Sequence, residues 1–171
     1  GKLILRSGSM VLKIYKASVI GENHLDFPEK IFYEDNCAGP LWSLYFTHFE
    51  RVAEPNYFYY QHDTSTVHYV TEQKCKDRMA AAMLLYKECK ERGFLEEYKE
   101  ELEYRFAELH FVNTLFSYML GAKKKRLAFV KQMKQENLET FPDFQENKYY
   151  EQWTNEEEKR MIAMLMDSEV R

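Results

Sequence analysis

The sequence predicts a mainly α-helical protein with a small β part, divided into a mixed segment of residues 1–70 and a helical domain of residues 71–171. Two observations predict this class. From residue 71 onward, apolar side chains recur at three- and four-residue steps, which is the spacing of one helix face. Before that point, glycines and prolines separate short runs of β-branched and aromatic residues, a pattern typical of strands and turns.

The β part is predicted from two runs, residues 11–15 and residues 51–60, both of which carry β-branched and aromatic side chains. Pro55 divides the second run, so an edge or a turn is expected there. Between the two runs, Asn36 is expected to cap a helix that continues to His48, with Pro40 in its first turn.

The helical domain is predicted from apolar stripes with identifiable ends. Gly93 and Gly121 follow two of the stripes, at the position where helices commonly stop. Thr154 followed by Glu157 has the spacing of a capping box and predicts the start of a last helix. The three stripes before that helix occupy residues 75–89, 98–120 and 124–138.

Composition excludes several classes of protein. The net charge of −4 argues against nucleic acid as a partner, and no apolar run reaches the ~18–20 residues that cross a bilayer. Cys37, Cys75 and Cys89 are an odd number without close spacing, which argues against a disulfide framework and against zinc. A cytoplasmic protein is therefore expected.

Two adjacent carboxylates, Glu34 and Asp35, precede the helix predicted from Asn36. A helix amino terminus offers unpaired N–H groups and a partial positive charge, so a carboxylate there is held ionised and fixed in direction. Such a group suits a general base that takes a proton from an attacking hydroxyl. The alternative is that the pair only caps the helix or is solvated.

Five short segments follow one another in a recognisable order: residues 11–16 (VLKIYK), 27–29 (FPE), 33–36 (YEDN), 54–60 (EPNYFYY) and 62–68 (HDTSTVH). This succession resembles the second half of the catalytic domain in bacterial family 2 glycosyltransferases of the GT-A fold. The helices beyond it resemble the C-terminal helical extension of such enzymes. The resemblance implies that residues 1–70 are the acceptor-side remnant of an α/β GT-A domain, without its nucleotide-binding half.

The resemblance also implies roles for individual residues. Inverting members use the Asp of the Glu-Asp pair to deprotonate the acceptor hydroxyl, so Asp35 is the expected base, and Glu34 is expected to orient it or to bind acceptor. A nucleotide-sugar and a glycan or lipid-linked acceptor are then the expected partners of the full-length enzyme.

The chain departs from the family in one respect. Family members hold Mn²⁺ or Mg²⁺ through an Asp-x-Asp motif in the N-terminal half, and this sequence contains no Asp-x-Asp. The metal is therefore expected only in the full-length enzyme, no metal-ligating residue is predicted here, and this chain alone is not expected to catalyse transfer.

The loop of residues 61–68 and one tryptophan are further candidates for contact with donor or acceptor. His62, Ser65, Thr66 and His68 could touch a diphosphate or a sugar, although a polar loop after a strand is the alternative. Trp42 could stack on a sugar ring, with ordinary core packing as the alternative.

Lys123, Lys124, Lys125 and Arg126 form the one dense basic run of the sequence. A solvated helix junction is one interpretation, and weak contact with an anionic membrane surface is the other. The second interpretation makes the inner face of the membrane an alternative location.

Two functions remain open at this point. The first is the glycosyltransferase part described above, and the second is a helical interaction module without catalytic activity. An enzyme fragment should expose an apolar sheet edge within residues 1–70, through which it could also form a homodimer.

Overall fold

Helices supply all the regular secondary structure of residues 1–60 and 69–168, the parts of the chain that the computed structural model describes. A π-helical stretch, Ala107–Val112, joins α5 to α6, and 3-10 turns occupy Met10–Leu12 and Phe144–Glu146. The α-helices are α1 (Lys2–Leu5), α2 (Ala17–Glu22), α3 (Asp35–Ser43), α4 (Glu72–Glu91), α5 (Lys99–Phe106), α6 (Asn113–Gly121), α7 (Leu127–Thr140), α8 (Lys148–Trp153) and α9 (Glu156–Asp167).

The predicted β part is wrong, because the described residues contain no strand. Where a strand was expected at residues 11–15, the chain makes a 3-10 turn, and the Lys13 ammonium donates to the carbonyls of Ser7 and Ser9. Residues 51–60 form neither helix nor strand. Strand-forming side chains need a neighbouring strand, and the described chain offers none. The interpretation of residues 1–70 as part of an α/β GT-A domain is therefore wrong as well.

The helix predicted from Asn36 to His48 exists but is shifted and shorter. It begins at Asp35 with Glu34 at the N-cap, and it ends at Ser43. Pro40 lies inside it rather than in its first turn. Its termination leaves His48 in an irregular, exposed segment.

The stripes predicted from residue 71 onward are confirmed as helices. The Thr71 hydroxyl caps α4 by accepting the N–H of Lys74 at 3.2 Å, and Gly93 follows the end of α4 with a φ of 81°. The capping box predicted at Thr154 is wrong by one residue. Asn155 caps α9 instead, with its side-chain oxygen accepting the N–H of Glu158 at 2.9 Å.

Helix α4 lies between two apolar clusters and contributes to both. Met79 and Ala82 belong to the larger cluster, which α5, α6, α7, α8 and α9 complete. Leu85 and Cys89 belong to the smaller one, which also holds residues of α1 and α3. The smaller cluster thus draws on both sides of residue 70, and the division into two domains at that residue stays a prediction.

All three cysteines are free thiols and are buried. Cys37 and Cys89 lie in the smaller cluster and Cys75 in the larger one.

Candidate functional site

Asp35 is the first residue of α3, and its side chain is exposed. Glu34 precedes it at the N-cap and is also exposed. The sequence-predicted pair therefore lies at the amino end of a helix of nine residues, as expected from its order in the chain. Both carboxylates are accessible from solvent.

The turn that leads into Asp35 is strained and is held by α4. Tyr33 has a φ of 66°, in the left-handed region that costs a non-glycine residue about 1–2 kcal/mol. The Arg78 guanidinium lies 4.5 Å from the centre of the Tyr33 ring, and the N–H of Phe32 donates to Asp77 at 3.3 Å. These contacts fix the turn against α4 and so fix the direction in which Asp35 leaves it.

Arg78 is itself anchored, so its contact with Tyr33 is not that of a loose surface side chain. Its guanidinium donates to the carbonyl of Asn113 at 3.0 Å and to the hydroxyl of Ser117 at 2.9 Å. The position of the turn thus depends on both α4 and α6.

Asp35 lines an open cleft of about 370 Å³. That volume falls within the ~300–1,000 Å³ of small-molecule sites. The cleft lies where the loop after α1 meets α3 and the junction of α5 with the π-helical stretch. Its lining residues are Leu5, Arg6, Ser7, Gly8, Ser9, Asp35, Asn36, Arg105 and Glu108.

The close approach of that loop to α3 depends on a missing side chain. A Cβ atom at Gly39 would lie 3.0 Å from the Ser7 hydroxyl and 3.3 Å from the sulfur of Met10. Glycine at this position therefore lets Ser7 reach the wall of the cleft beside Asn36.

The cleft mixes both signs of charge. Arg105 pairs with Glu108 at 2.6 Å, and its guanidinium also donates to the side-chain oxygen of Asn36 at 3.4 Å. The Nε of Arg105 is buried and has no hydrogen-bond partner among the described residues. Arg6 lies 4.5 Å from the centre of the Trp153 ring. Hydroxyl groups or an anion entering the cleft would therefore meet donors as well as the Asp35 carboxylate.

Trp42 is placed in the apolar core rather than in this cleft. It is 6% exposed, and its ring lies 4.7 Å from the Phe27 ring and 5.3 Å from the Tyr15 ring. Its indole N–H is buried and finds no hydrogen-bond partner among the described residues. Contact between Trp42 and a sugar stays a prediction.

The other predicted contact residues, His62, Ser65, Thr66 and His68, lie outside the described residues. Within the described residues, no group of three or more His, Cys, Asp or Glu side chains could hold a metal ion. No helix there is long and apolar enough to cross a membrane.

Sequence reasoning missed most of the cleft. Arg6, Ser7 and Ser9 come from the loop after α1, and Arg105 and Glu108 come from the junction after α5. No local motif marks either segment. The one sequence signal was the Glu-Asp pair, which identifies a single wall.

No protein-family model matches this chain, and searches of curated proteins and of solved structures find no similar protein. The resemblance to family 2 glycosyltransferases therefore continues to rest on the sequence segments quoted above.

Proposed function

We propose that this chain supplies the general base and part of the acceptor site of an inverting, nucleotide-sugar-dependent glycosyltransferase. The observation that supports the proposal most is the position of Asp35, an exposed carboxylate at a helix amino end that opens on a cleft lined with hydrogen-bond donors. A base for this reaction must reach a hydroxyl of the acceptor, and an exposed carboxylate can do so.

The proposed step transfers one proton and exchanges one bond. Asp35 takes the proton of an acceptor hydroxyl while the hydroxyl oxygen attacks the anomeric carbon of the donor sugar. The bond from that carbon to the diphosphate oxygen breaks, and the nucleoside diphosphate leaves with the electron pair. Attack from the opposite side inverts the anomeric centre.

Other residues of the cleft would position the acceptor. Arg105 and Asn36 offer donors and an acceptor atom for sugar hydroxyls, and Glu34 is close enough in sequence to share this task. The described residues provide no fitting ligand group for the Mn²⁺ or Mg²⁺ that the resemblance implies, so the proposed step involves side chains alone.

Release of nucleoside diphosphate by the longest natural form of the protein tests the proposal. UDP-, GDP- and dTDP-sugars would be offered to the wild type, to Asp35→Asn and to Asp143→Asn, which replaces an exposed aspartate outside the cleft. Because a general base contributes about 10²–10⁴-fold, Asp35→Asn should lose at least 100-fold in rate while Asp143→Asn stays active. Equal rates for the two variants would exclude Asp35 as the base.

A helical interaction module is the second candidate, favoured by a different observation. Phe49, Val52 and Phe58 are exposed in the irregular segment before residue 61, with Phe58 91% exposed. Apolar side chains gathered in one exposed segment are a feature of interaction surfaces. In the first candidate the same surface would lie against another part of the enzyme.

Self-association tests the second candidate in its simplest form, a homodimer. Sedimentation equilibrium of the wild type should show a dimer at high concentration, and Phe58→Ser should shift the equilibrium toward monomer. A wild type that stays monomeric, together with turnover of a nucleotide-sugar, would leave the first candidate alone.

A further inference from the structure

The turn between α6 and α7 brings a run of cations together with exposed apolar side chains. Lys123, Lys124, Lys125 and Arg126 are all exposed. Leu120, in the last turn of α6, is 85% exposed, and the run is followed at once by Leu127, which is exposed as well. Met119 adds a third exposed apolar side chain on the α6 side.

This turn is built into the fold and is not a loose connection. The backbone N–H of Arg126 donates to the Tyr118 hydroxyl at 2.7 Å, and the Tyr118 ring contacts the Phe129 ring at 4.9 Å. Lys125 donates to the carbonyl of Ala122, which is buried, at 3.0 Å. The core therefore holds both ends of the turn, and the exposed leucines are presented in place.

The charge of the turn stays positive after its ion pairs are counted. Arg126 pairs with Glu72 at 2.8 Å, and Glu72 also receives Lys76 at 3.0 Å. Lys123, Lys124 and Lys125 form no ion pair with a described carboxylate. Glu72 is thus already neutralised by two cations, and it does not offset the three lysines.

We propose that the α6–α7 turn docks on the surface of a bilayer containing anionic lipids. The lysines would face the anionic headgroups, and Leu120 and Leu127 would enter the boundary between headgroups and acyl chains. The apolar pair is what distinguishes this partner from nucleic acid, whose phosphates would satisfy the lysines but leave exposed leucines unused. The net charge of the whole chain, −4, also opposes nucleic acid. This inference is independent of the proposed catalytic role of Asp35.

Co-sedimentation of the full chain with vesicles tests the docking. Vesicles of phosphatidylcholine alone would be compared with vesicles of phosphatidylcholine and phosphatidylserine. The wild type should bind the second kind and release at high salt, because screening weakens contacts between exposed charges.

Two variants, each with a matched control, separate the charge from the apolar contribution. Replacing Lys123, Lys124 and Lys125 together by Gln should lower the affinity on the order of 100-fold, since each lysine near an anionic surface contributes about fivefold. The control replaces three exposed lysines elsewhere, Lys87, Lys90 and Lys99, by Gln and should bind like the wild type.

The apolar contribution is tested by Leu120→Ser, with Met164→Ser on α9 as the control. Losing a partly inserted leucine should lower the affinity about tenfold. All replaced side chains are exposed, and circular dichroism would verify that each variant stays helical.

Several results would overturn the proposal. They are equal binding of the wild type to both kinds of vesicle, equal affinity of a turn variant and its matched control, and a preference of the turn for single-stranded RNA over phosphatidylserine vesicles.

Discussion

Acidification should destabilise the fold through one buried histidine, His110. This side chain lies in the π-helical stretch and is 1% exposed, with its ring stacked on Phe106 at 4.7 Å. Its Nε2 lies 3.1 Å from a carboxylate oxygen of Glu136, and its Nδ1 has no hydrogen-bond partner among the described residues. Burial lowers the pKa of His110 below its ordinary value, and Glu136 opposes that shift only in part.

The sign and size of the effect follow from this shift. The unfolded chain takes up a proton near a pKa of about 6.5, and the folded chain does so only at lower pH, so stability falls as the pH drops below about 6.5. For a single group the loss is up to about 1.4 kcal/mol for each pH unit. His110→Gln removes the titration while keeping a donor for Glu136.

Urea unfolding followed by circular dichroism at about pH 7.5 and about pH 5.5 measures the effect, because these values bracket the ordinary histidine pKa. His110→Gln should lose up to about 1.4 kcal/mol less than the wild type between the two values. His48→Gln, which replaces an exposed histidine, should behave like the wild type. If His110→Gln and His48→Gln lose the same stability on acidification, the reasoning about burial is refuted.

Three further predictions concern the packing. A Cβ at Gly121 would lie 2.6 Å from a methyl carbon of Val70, so Gly121→Ala should cost about 1–3 kcal/mol of unfolding free energy and Val70→Ala should restore part of it in urea titrations. Burial raises the pKa of Cys37 and of Cys89 to about 12, so iodoacetamide should leave both unmodified by mass spectrometry until urea unfolds the chain, and rapid labelling of the native protein would contradict this. Asn155 caps α9 at 2.9 Å, so Asn155→Ala should cost about 1 kcal/mol, and an unchanged urea midpoint would show that the cap contributes nothing.

The success of the sequence predictions divides at about residue 70. Helix α4 was predictable because its apolar stripe, its cap at Thr71 and the glycine after its end all act within a few residues. The stripe of residues 98–120 was also found, although its π-helical section was not, since that insertion has no local signature. The short helices α1, α2 and α8 were missed because each spans fewer than two turns and depends on packing for stability.

The false strands have a physical cause of the same kind. The side chains of residues 11–15 and 51–60 favour extended backbone, yet a strand forms only when another strand satisfies its N–H and C=O groups. The described chain provides no such neighbour. Propensity was therefore a sound observation with no tertiary partner to act on.

The sequence by itself determined the helices from α4 to α7, the free state of the cysteines and the presence of an acidic pair before α3, because each depends on neighbours along the chain. Only the tertiary structure decided that Asp35 shares a cleft with Arg6 and Arg105, and that Trp42 belongs to the core. These side chains come from distant segments, and they meet because burying the apolar faces of α1, α3 and α5 together stabilises the fold.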